Sequence, residues 1–382
     1  MRLSAKQRMS RRTFLGALGA AAAGCAMGRL ARAAQPGSSS RIFPLPALRE
    51  ARFYSPLPDR GVQCELCPRG CAVAEGQRGY CRARENRDGK YYSLVYGLVS
   101  ACHIDPIEKK PFYHVYPGSK VFSIGSAGCN IHCRFCQNFD ISQASPEDVG
   151  TPYQGPDAIV DQIARQGLKL LAFTYNEPTT FYEFMHDCAK AAQERGIESV
   201  IVSNGFINDA PQKTLFPLVK AIKIDLKAYS ESFYARICEG SLGPVLKTLK
   251  RLAGSGVWYE IVNLVVPTLN DNMADLQRLS AWVVKELGPD VPIHFTRFTP
   301  LYRLRNLPPT PAETLLKARE LALTEGCRHV YCGNIPGMAG EDTLCPACHR
   351  GVIRRYAYHI LQNDIVGGKC RHCKAVIPGI WG

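Results

Sequence analysis

From residue 121 onward the chain alternates two hydrophobic patterns. Short runs rich in β-branched and aromatic residues recur at 121–125, 169–174, 199–203, 221–226, 258–266 and 293–298. Between them, apolar positions three and four apart predict helices around 157–166, 179–195, 211–218, 243–254 and 272–287. A last helix near 311–325 leads to a further apolar run at 329–332. Strand and helix in alternation predict six parallel βα units and an α/β fold. No repeat of solenoid length interrupts this pattern. Each predicted strand ends in polar residues, and in such folds chemistry sits at the C-terminal ends of the strands.

On either side of the strand–helix block the pattern gives way to cysteine clusters. The chain has 17 cysteines, mostly in close groups. Grouping of the C-x2-C kind reads as metal binding, and the odd total argues against complete disulfide pairing. The central group is Gly128-Cys129-Asn130-Ile131-His132-Cys133-Arg134-Phe135-Cys136, directly after the first apolar run. Cys129, Cys133 and Cys136 can hold three irons of a [4Fe–4S] cube that ordinarily takes four thiolates. The fourth iron is then open, and an open metal position is where chemistry happens. A zinc knuckle or plain buried thiols is the bland alternative, disfavoured because no fourth cysteine follows at zinc-ribbon spacing.

This loop resembles that of the radical S-adenosylmethionine (radical SAM) superfamily. The resemblance implies a partial (β/α)6 barrel. It also implies that SAM chelates the open iron and is cleaved by one electron to methionine and a 5′-deoxyadenosyl radical. Phe135 matches the aromatic position that packs near the adenine. Asn176 and Glu177, after the second strand, match the position that hydrogen-bonds the SAM ammonium, and a carboxylate suits a cation through a charge-assisted bond. The usual glycine pair there is replaced by Tyr175-Asn176. By the same resemblance Ser203 and Asn204 reach the ribose or carboxylate. Asp225 and Lys227 match the glycyl-radical activating relatives, and Asn263 and His294 complete the expected cofactor-binding set. The segment from Asp105 to His114 is charged and bounded by prolines, so it is expected as a surface loop. Nearby Cys102 is expected as a buried single cysteine. With the Cys64 module before it, this segment narrows the resemblance to the radical SAM member of the AmmeMemoRadiSam group, related to activating enzymes such as that of pyruvate formate-lyase. The resemblance runs from about Cys64 to the C-terminus.

Two further cysteine sets flank the block. Cys64, Cys67, Cys71 and Cys81 fall within 18 residues, enough to close a tetrahedral site. Zinc there would be structural and a [4Fe–4S] cluster would relay electrons; the residues leave both open, with zinc taken first. Cys345, Cys348, Cys370 and Cys373 form two C-x2-C knuckles, the pattern of a C-terminal zinc ribbon, with a rubredoxin-like iron as the alternative. So small a unit has little core and needs its metal.

The net charge of +14 sits mostly at the two ends. Seven Lys/Arg and no acid fall in 1–33, and six against one acid in 345–382, which leaves the middle nearly neutral. A broad phosphate-binding face is thereby excluded, and nucleic acid is not an expected partner. The 46% hydrophobic and 21% charged content is that of a globular protein. Ser10-Arg11-Arg12-Thr13-Phe14-Leu15, the apolar stretch after it and Ala31-Arg32-Ala33 match a twin-arginine leader. Cys25 offers a rival lipid anchor. Export to the periplasm or cell envelope is therefore expected. A cytoplasmic location is the alternative, because SAM and low-potential reductants are cytoplasmic.

The expected organisation is a leader at 1–33, a linker at 34–60, a four-cysteine metal module with its lead-in at 61–118, the barrel at 119–340 and the ribbon at 341–382. The function expected from the resemblance is radical hydrogen abstraction from an unidentified substrate. A glycyl-radical-enzyme activase is the first alternative. An exported iron–sulfur electron-transfer or metal-binding protein is the alternative of another class. The implied partners are SAM, an electron donor, and either Memo-like and AMME-like proteins or a glycyl-radical protein.

Overall fold

An eight-stranded sheet orders the chain and sets where its polar strand ends meet. The structure is a computed structural model that describes residues 48–382. The twin-arginine motif, Cys25, the cleavage site and the first part of the linker lie outside the described residues. The strands are β1 (Ala101–Pro106), β2 (Lys120–Gly125), β3 (Leu170–Phe173), β4 (Glu198–Ser203), β5 (Ala221–Asp225), β6 (Trp258–Val265), β7 (Ile293–Arg297) and β8 (Val330–Gly333). They lie side by side in sequence order, with β1 and β8 at the two edges. From β2 to β8 every pairing is parallel, while β1 runs antiparallel to β2 with Asp105 opposite Val121. The run at 329–332 therefore supplies a seventh parallel strand beyond the six expected.

Helices connect the parallel strands: α1 (Pro156–Arg165), α2 (Tyr182–Glu194), α3 (Asp209–Leu215), α4 (Leu242–Ala253), α5 (Met273–Leu287) and α6 (Ala312–Thr324). Their spacing explains their packing. In α4, Leu242, Val245, Leu249 and Leu252 recur on one face and are buried against the sheet. With helices over them, strands such as β3 are apolar and buried at every position.

The segment after β1 departs from the surface loop expected. Asp105 lies inside the edge strand and is 5% exposed. Its carboxylate accepts from Lys109 Nζ at 2.8 Å, Lys110 Nζ at 2.5 Å and Tyr175 Oη at 2.6 Å. Pro106 ends the strand, which an edge tolerates because no ladder hydrogen bond is lost. Ile107, Phe112 and Val115 are fully buried, so residues 107–116 form a buried strap. Its backbone is tied to the sheet: the Tyr113 and His114 amides donate to the buried Glu260 carboxylate of β6 at 2.9–3.1 Å. Cys102, expected buried, is exposed on this same edge strand.

The C-terminal cysteine unit holds the strap from outside. A three-stranded sheet (Thr343–Leu344, Gly351–Tyr356, His359–Asn363) is followed by a small hairpin of Ile365–Val366 and Lys369–Cys370. Arg355 Nη2 donates to the Tyr113 carbonyl at 2.8 Å. The final residues run beside the strap, with Ile380 N donating to the His114 carbonyl at 2.7 Å and Tyr116 N to the Ile380 carbonyl at 2.8 Å. At the other end of the chain, two three-stranded sheets carry the Cys64–Cys81 module. Arg84 of this module is 1% exposed and its Nη2 contacts both oxygens of Glu183 of α2 at 2.7 Å.

Two buried histidines make stability depend on pH. Burial, helped by the neighbouring His329, pushes His114 down to about 3 from the usual 6.5, and burial pushes His329 down to about 4. Below pH 6.5 the unfolded chain takes up protons that the folded chain refuses. Stability therefore falls as pH drops from 6.5 towards 4, by at most about 1.4 kcal/mol per pH unit for each histidine. Thermal melts between pH 5 and 7.5 should show a lower Tm at the acid end, with the slope flattened in His329→Phe. A Tm that does not change over this range would contradict neutral buried rings.

Candidate active site

The cysteine loop after β2 is fixed mainly through its backbone. Gly128 N donates to the Ile141 carbonyl at 3.0 Å, and His132 N and Arg134 N donate to the carbonyls of Cys238 and Ile237, both at 2.9 Å. Gly128 has φ +87°, and a β-carbon there would run into the Cys81 carbonyl, so the residue must be glycine. Asn130 Nδ2 reaches the Phe206 carbonyl at 2.7 Å. These contacts turn all three thiols, Cys129, Cys133 and Cys136, into one cavity of about 600 Å³.

Each thiol has a distinct neighbour. Cys136 lies 3.1 Å from Ser142 Oγ, and Cys129 lies 3.9 Å from Asn204 Nδ2. Cys133 shares a hydrogen bond with Cys238, which together with burial raises its pKa well above the usual thiol value. Burial and the Glu177 charge do the same to Cys129, and burial raises Cys136. Thiols this reluctant to ionise become thiolates when a cation takes the place of the proton. Three such thiols facing one cavity fit a cluster with three cysteine ligands. Ser142 and Cys238 carry no sequence signal, because they reach the loop only through the fold.

The residues expected to contact SAM mostly converge on the same cavity. Phe135, Asn176, Glu177, Ser203, Asn204, Asp225, Lys227 and His294 all line it. Phe135 lies 6.0 Å from Phe233, roughly parallel to it, with Lys227 Nζ 5.6 Å from its ring centre. Asn176 grips the loop, accepting from Ser126 N at 2.9 Å and donating to the Gly128 carbonyl at 2.8 Å. Glu177 joins two strand ends: it accepts from Thr179 N, Thr179 Oγ1, Ser203 Oγ and Asn204 N at 2.7–3.1 Å. Burial raises its pKa and these four donors oppose that rise. Asn204 Nδ2 also donates to Asn130 Oδ1 at 2.8 Å, linking β4 to the cysteine loop.

Asp225 sits between Lys223 and Lys227, bonded to both. Burial alone would raise its carboxyl, but the two ammonium charges outweigh burial and hold it down to about 2. His294 is the second residue of β7, at the opposite end from the polar strand ends, and its Nε2 lies 2.7 Å from Glu260. Asn263 is not among the cavity residues. Its neighbours Val262 and Leu264 line the cavity, while Asn263 Nδ2 donates to the Leu226 carbonyl at 2.8 Å.

Tyr175 stands where the resemblance places a glycine, and its backbone has the conformation glycine favours, with φ +71°. A non-glycine residue held there costs on the order of 1–3 kcal/mol. Its hydroxyl bond to Asp105, Lys110 Nζ at 4.7 Å from its ring centre and the Asn138 Nδ2 bond to its carbonyl at 2.7 Å hold it in place.

The remaining cysteine sets differ in geometry. A tetrahedral ion with bonds of about 2.3 Å sets its thiolates roughly 3.8 Å apart. Cys345 and Cys373 Sγ are 3.5 Å apart, and Cys348 and Cys370 Sγ 3.8 Å. All four sulfurs lie within 4.8 Å of one another, which fits one metal ion. Among the described residues no other group of three or more His, Cys, Asp or Glu ligands closes to that distance. Cys64, Cys67, Cys71 and Cys81 are not among such groups.

Residues 123–282 match the model of the Radical SAM superfamily. The chain belongs to that superfamily. It is 44% identical over 328 residues to an uncharacterized protein of Methanocaldococcus jannaschii, covering 85% of this chain and 98% of that one. It is 22% identical over 317 residues to the benzylsuccinate synthase activating enzyme of Thauera aromatica, covering 74% and 93%. A domain of the pyruvate-formate lyase-activating enzyme from Bacteroides vulgatus, known from its crystal structure, aligns with a TM-score of 0.38. It shares 18% identity over 43% of this chain and 98% of that one.

Proposed function

We propose that this chain binds SAM at a [4Fe–4S] cluster held by Cys129, Cys133 and Cys136 and abstracts hydrogen from a substrate outside the chain. The observation that carries this is the convergence of the three thiols and eight of the nine expected cofactor contacts on one cavity. When bound, the cluster and SAM supply a one-electron cleavage that gives methionine and a 5′-deoxyadenosyl radical. The protein's part is placement. Phe135 offers an apolar wall for the adenine. Lys227 and the Asp225 pair offer fixed charges to the methionyl end. Glu177 has its acceptor sites filled by protein donors, so it acts by setting the Ser203–Asn204 strand end that faces SAM.

The test is anaerobic incubation of the full chain with SAM and dithionite, following 5′-deoxyadenosine. Cys133→Ala should abolish its formation. Glu177→Gln should keep the cluster yet weaken SAM binding about tenfold or more, because the amide meets existing donors with a donor of its own. An intact cluster whose EPR signal SAM fails to perturb would overturn the reading in favour of electron transfer.

The similarity to the benzylsuccinate synthase activating enzyme supports a second reading, in which the hydrogen comes from a glycine of a partner protein. Membership of the AmmeMemoRadiSam group, with Memo-like and AMME-like partners, rests on the Cys64 module and the Asp105–His114 segment. The same reading curves the sheet into a partial barrel, assigns zinc to Cys345, Cys348, Cys370 and Cys373, and makes residues 1–33 a twin-arginine leader. Cell fractionation with Arg11→Lys/Arg12→Lys tests the leader: retention of the variant in the cytoplasm supports it.

A further inference from the structure

We infer that Cys64, Cys67, Cys71 and Cys81 hold a second [4Fe–4S] cluster, placed against the first to pass it electrons. Every pair among these four residues lies within electrostatic reach. Yet no three of their sulfurs close to 4.8 Å, as the C-terminal four do. The chain calibrates itself here. Cys129, Cys133 and Cys136 show the same relation, with every pair in electrostatic reach and no tetrahedral closure. Thiolates on one zinc ion crowd together, whereas thiolates on a cube sit apart, one at each corner. The N-terminal four, like those three, do not close to the tetrahedral distance.

The surroundings also call for an acceptor. Among the described residues Tyr91 Oη and Arg84 Nε are buried and have no hydrogen-bond partner, on residues 0% and 1% exposed. Both residues interact with Cys64 and Cys81. A β-carbon at Gly79 would lie 2.5 Å from Tyr91 Oη and 3.9 Å from Cys71 Sγ, so the hydroxyl and the thiol converge on one point. Buried donors of this kind are costly unless paired. Cluster sulfides and thiolates beside them would accept both hydrogens, and the Arg84 charge would offset the cluster's negative charge.

Position supplies the role. Arg69, between Cys67 and Cys71, donates through Nε to the Asn130 carbonyl at 2.6 Å and through Nη2 to the Glu239 carbonyl. Tyr80 stacks on His132 with ring centres 4.2 Å apart. The Cys81 carbonyl abuts Gly128. Residues adjoining the N-terminal cysteines thus touch the Cys129–Cys136 loop at three places. A low-potential one-electron donor would reduce the second cluster. That cluster is reoxidised as the electron passes to the first, and each SAM cleavage consumes one electron.

The cluster assignment stands apart from SAM chemistry; only the relay rests on the function proposed above. Full chain reconstituted anaerobically with iron, sulfide and zinc should hold about eight irons and one zinc. Four irons and two zincs would overturn the assignment, whatever the SAM assay gives. The triple variant Cys129→Ala/Cys133→Ala/Cys136→Ala should keep about four irons and an EPR signal that SAM leaves unchanged. A triple variant with no iron and two zincs would overturn it as well. Cys67→Ser should keep the SAM-sensitive signal and turn over with dithionite, but lose at least tenfold of its rate with reduced flavodoxin as donor. An unchanged flavodoxin-driven rate would overturn the relay.

Discussion

Cys370→Ser is expected to unfold residues 341–382 while leaving the eight-stranded sheet in place. The buried apolar cluster of this unit is Cys345, Val352, Cys370 and Ile377, with Ile365, Ala375 and Trp381 packed against it, and two of the buried four belong to the four-cysteine group that fits a metal ion. Metal at such a site contributes on the order of 10 kcal/mol to folding, more than the few buried aliphatic side chains of so small a unit supply. The damage should spread to one other place. Arg355 and Ile380 bond the strap at Tyr113, His114 and Tyr116, so residues 107–116 should lose protection next. Hydrogen exchange on the full chain, with and without a zinc chelator, reads this directly. Protection lost at 341–382 and 107–116, with β2 to β6 unchanged, is the expected pattern. Full protection after the metal has been removed would show that the unit stands without it.

Glu183→Ala is expected to cost about 3–5 kcal/mol, because it strips the buried, charged Arg84 of its carboxylate. Both oxygens of Glu183 contact Arg84 Nη2, and Oε1 also accepts from Arg52 N at 2.8 Å. Removing the carboxylate therefore strands two donors at once. The pair joins the N-terminal cysteine module to α2, so its loss should loosen that module before the sheet. Arg84→Met/Glu183→Leu should recover much of the loss, since a buried ion pair replaced by apolar groups of similar volume is often neutral or better. Urea titration of the two variants checks this. A Glu183→Ala change under about 1 kcal/mol would show that water reaches Arg84 in the folded state.

How much of this was legible beforehand depended on whether the partners were local. Strands and helices announced themselves by period, and the three-cysteine loop by spacing, because both signals lie within a few residues. The strap reads as a surface loop because it is charged and bounded by prolines. Asp105 meets Lys109 and Lys110 close by, but Glu260, which receives the Tyr113 and His114 amides, lies about 147 residues away. Asn263 enters the expected set through the resemblance, whereas its phase within the strand puts Val262 and Leu264 on the cavity side. Tyr175 looked like a departure from the glycine pattern, yet the backbone keeps the same turn. No spacing rule separates a zinc tetrahedron from a cube, since C-x2-C serves both. That distinction needs the distances between sulfurs.

The strap and the C-terminal tail also bear on the order in which the chain is made. His114 Nδ1 donates to the Pro378 carbonyl at 2.6 Å, across 264 residues of sequence. A nascent chain that has reached Gly351 already possesses all eight strands, and one that has reached Cys373 possesses all four cysteines of the C-terminal group. Neither can close the strap, because Pro378 and Ile380 have yet to emerge. A chain clipped at residue 377 would keep its cysteine clusters but leave His114 Nδ1 and the Tyr116 amide with nothing to bond. Residues 378–380 thus complete the strap, and a chain without them betrays itself there and not at its cysteine clusters.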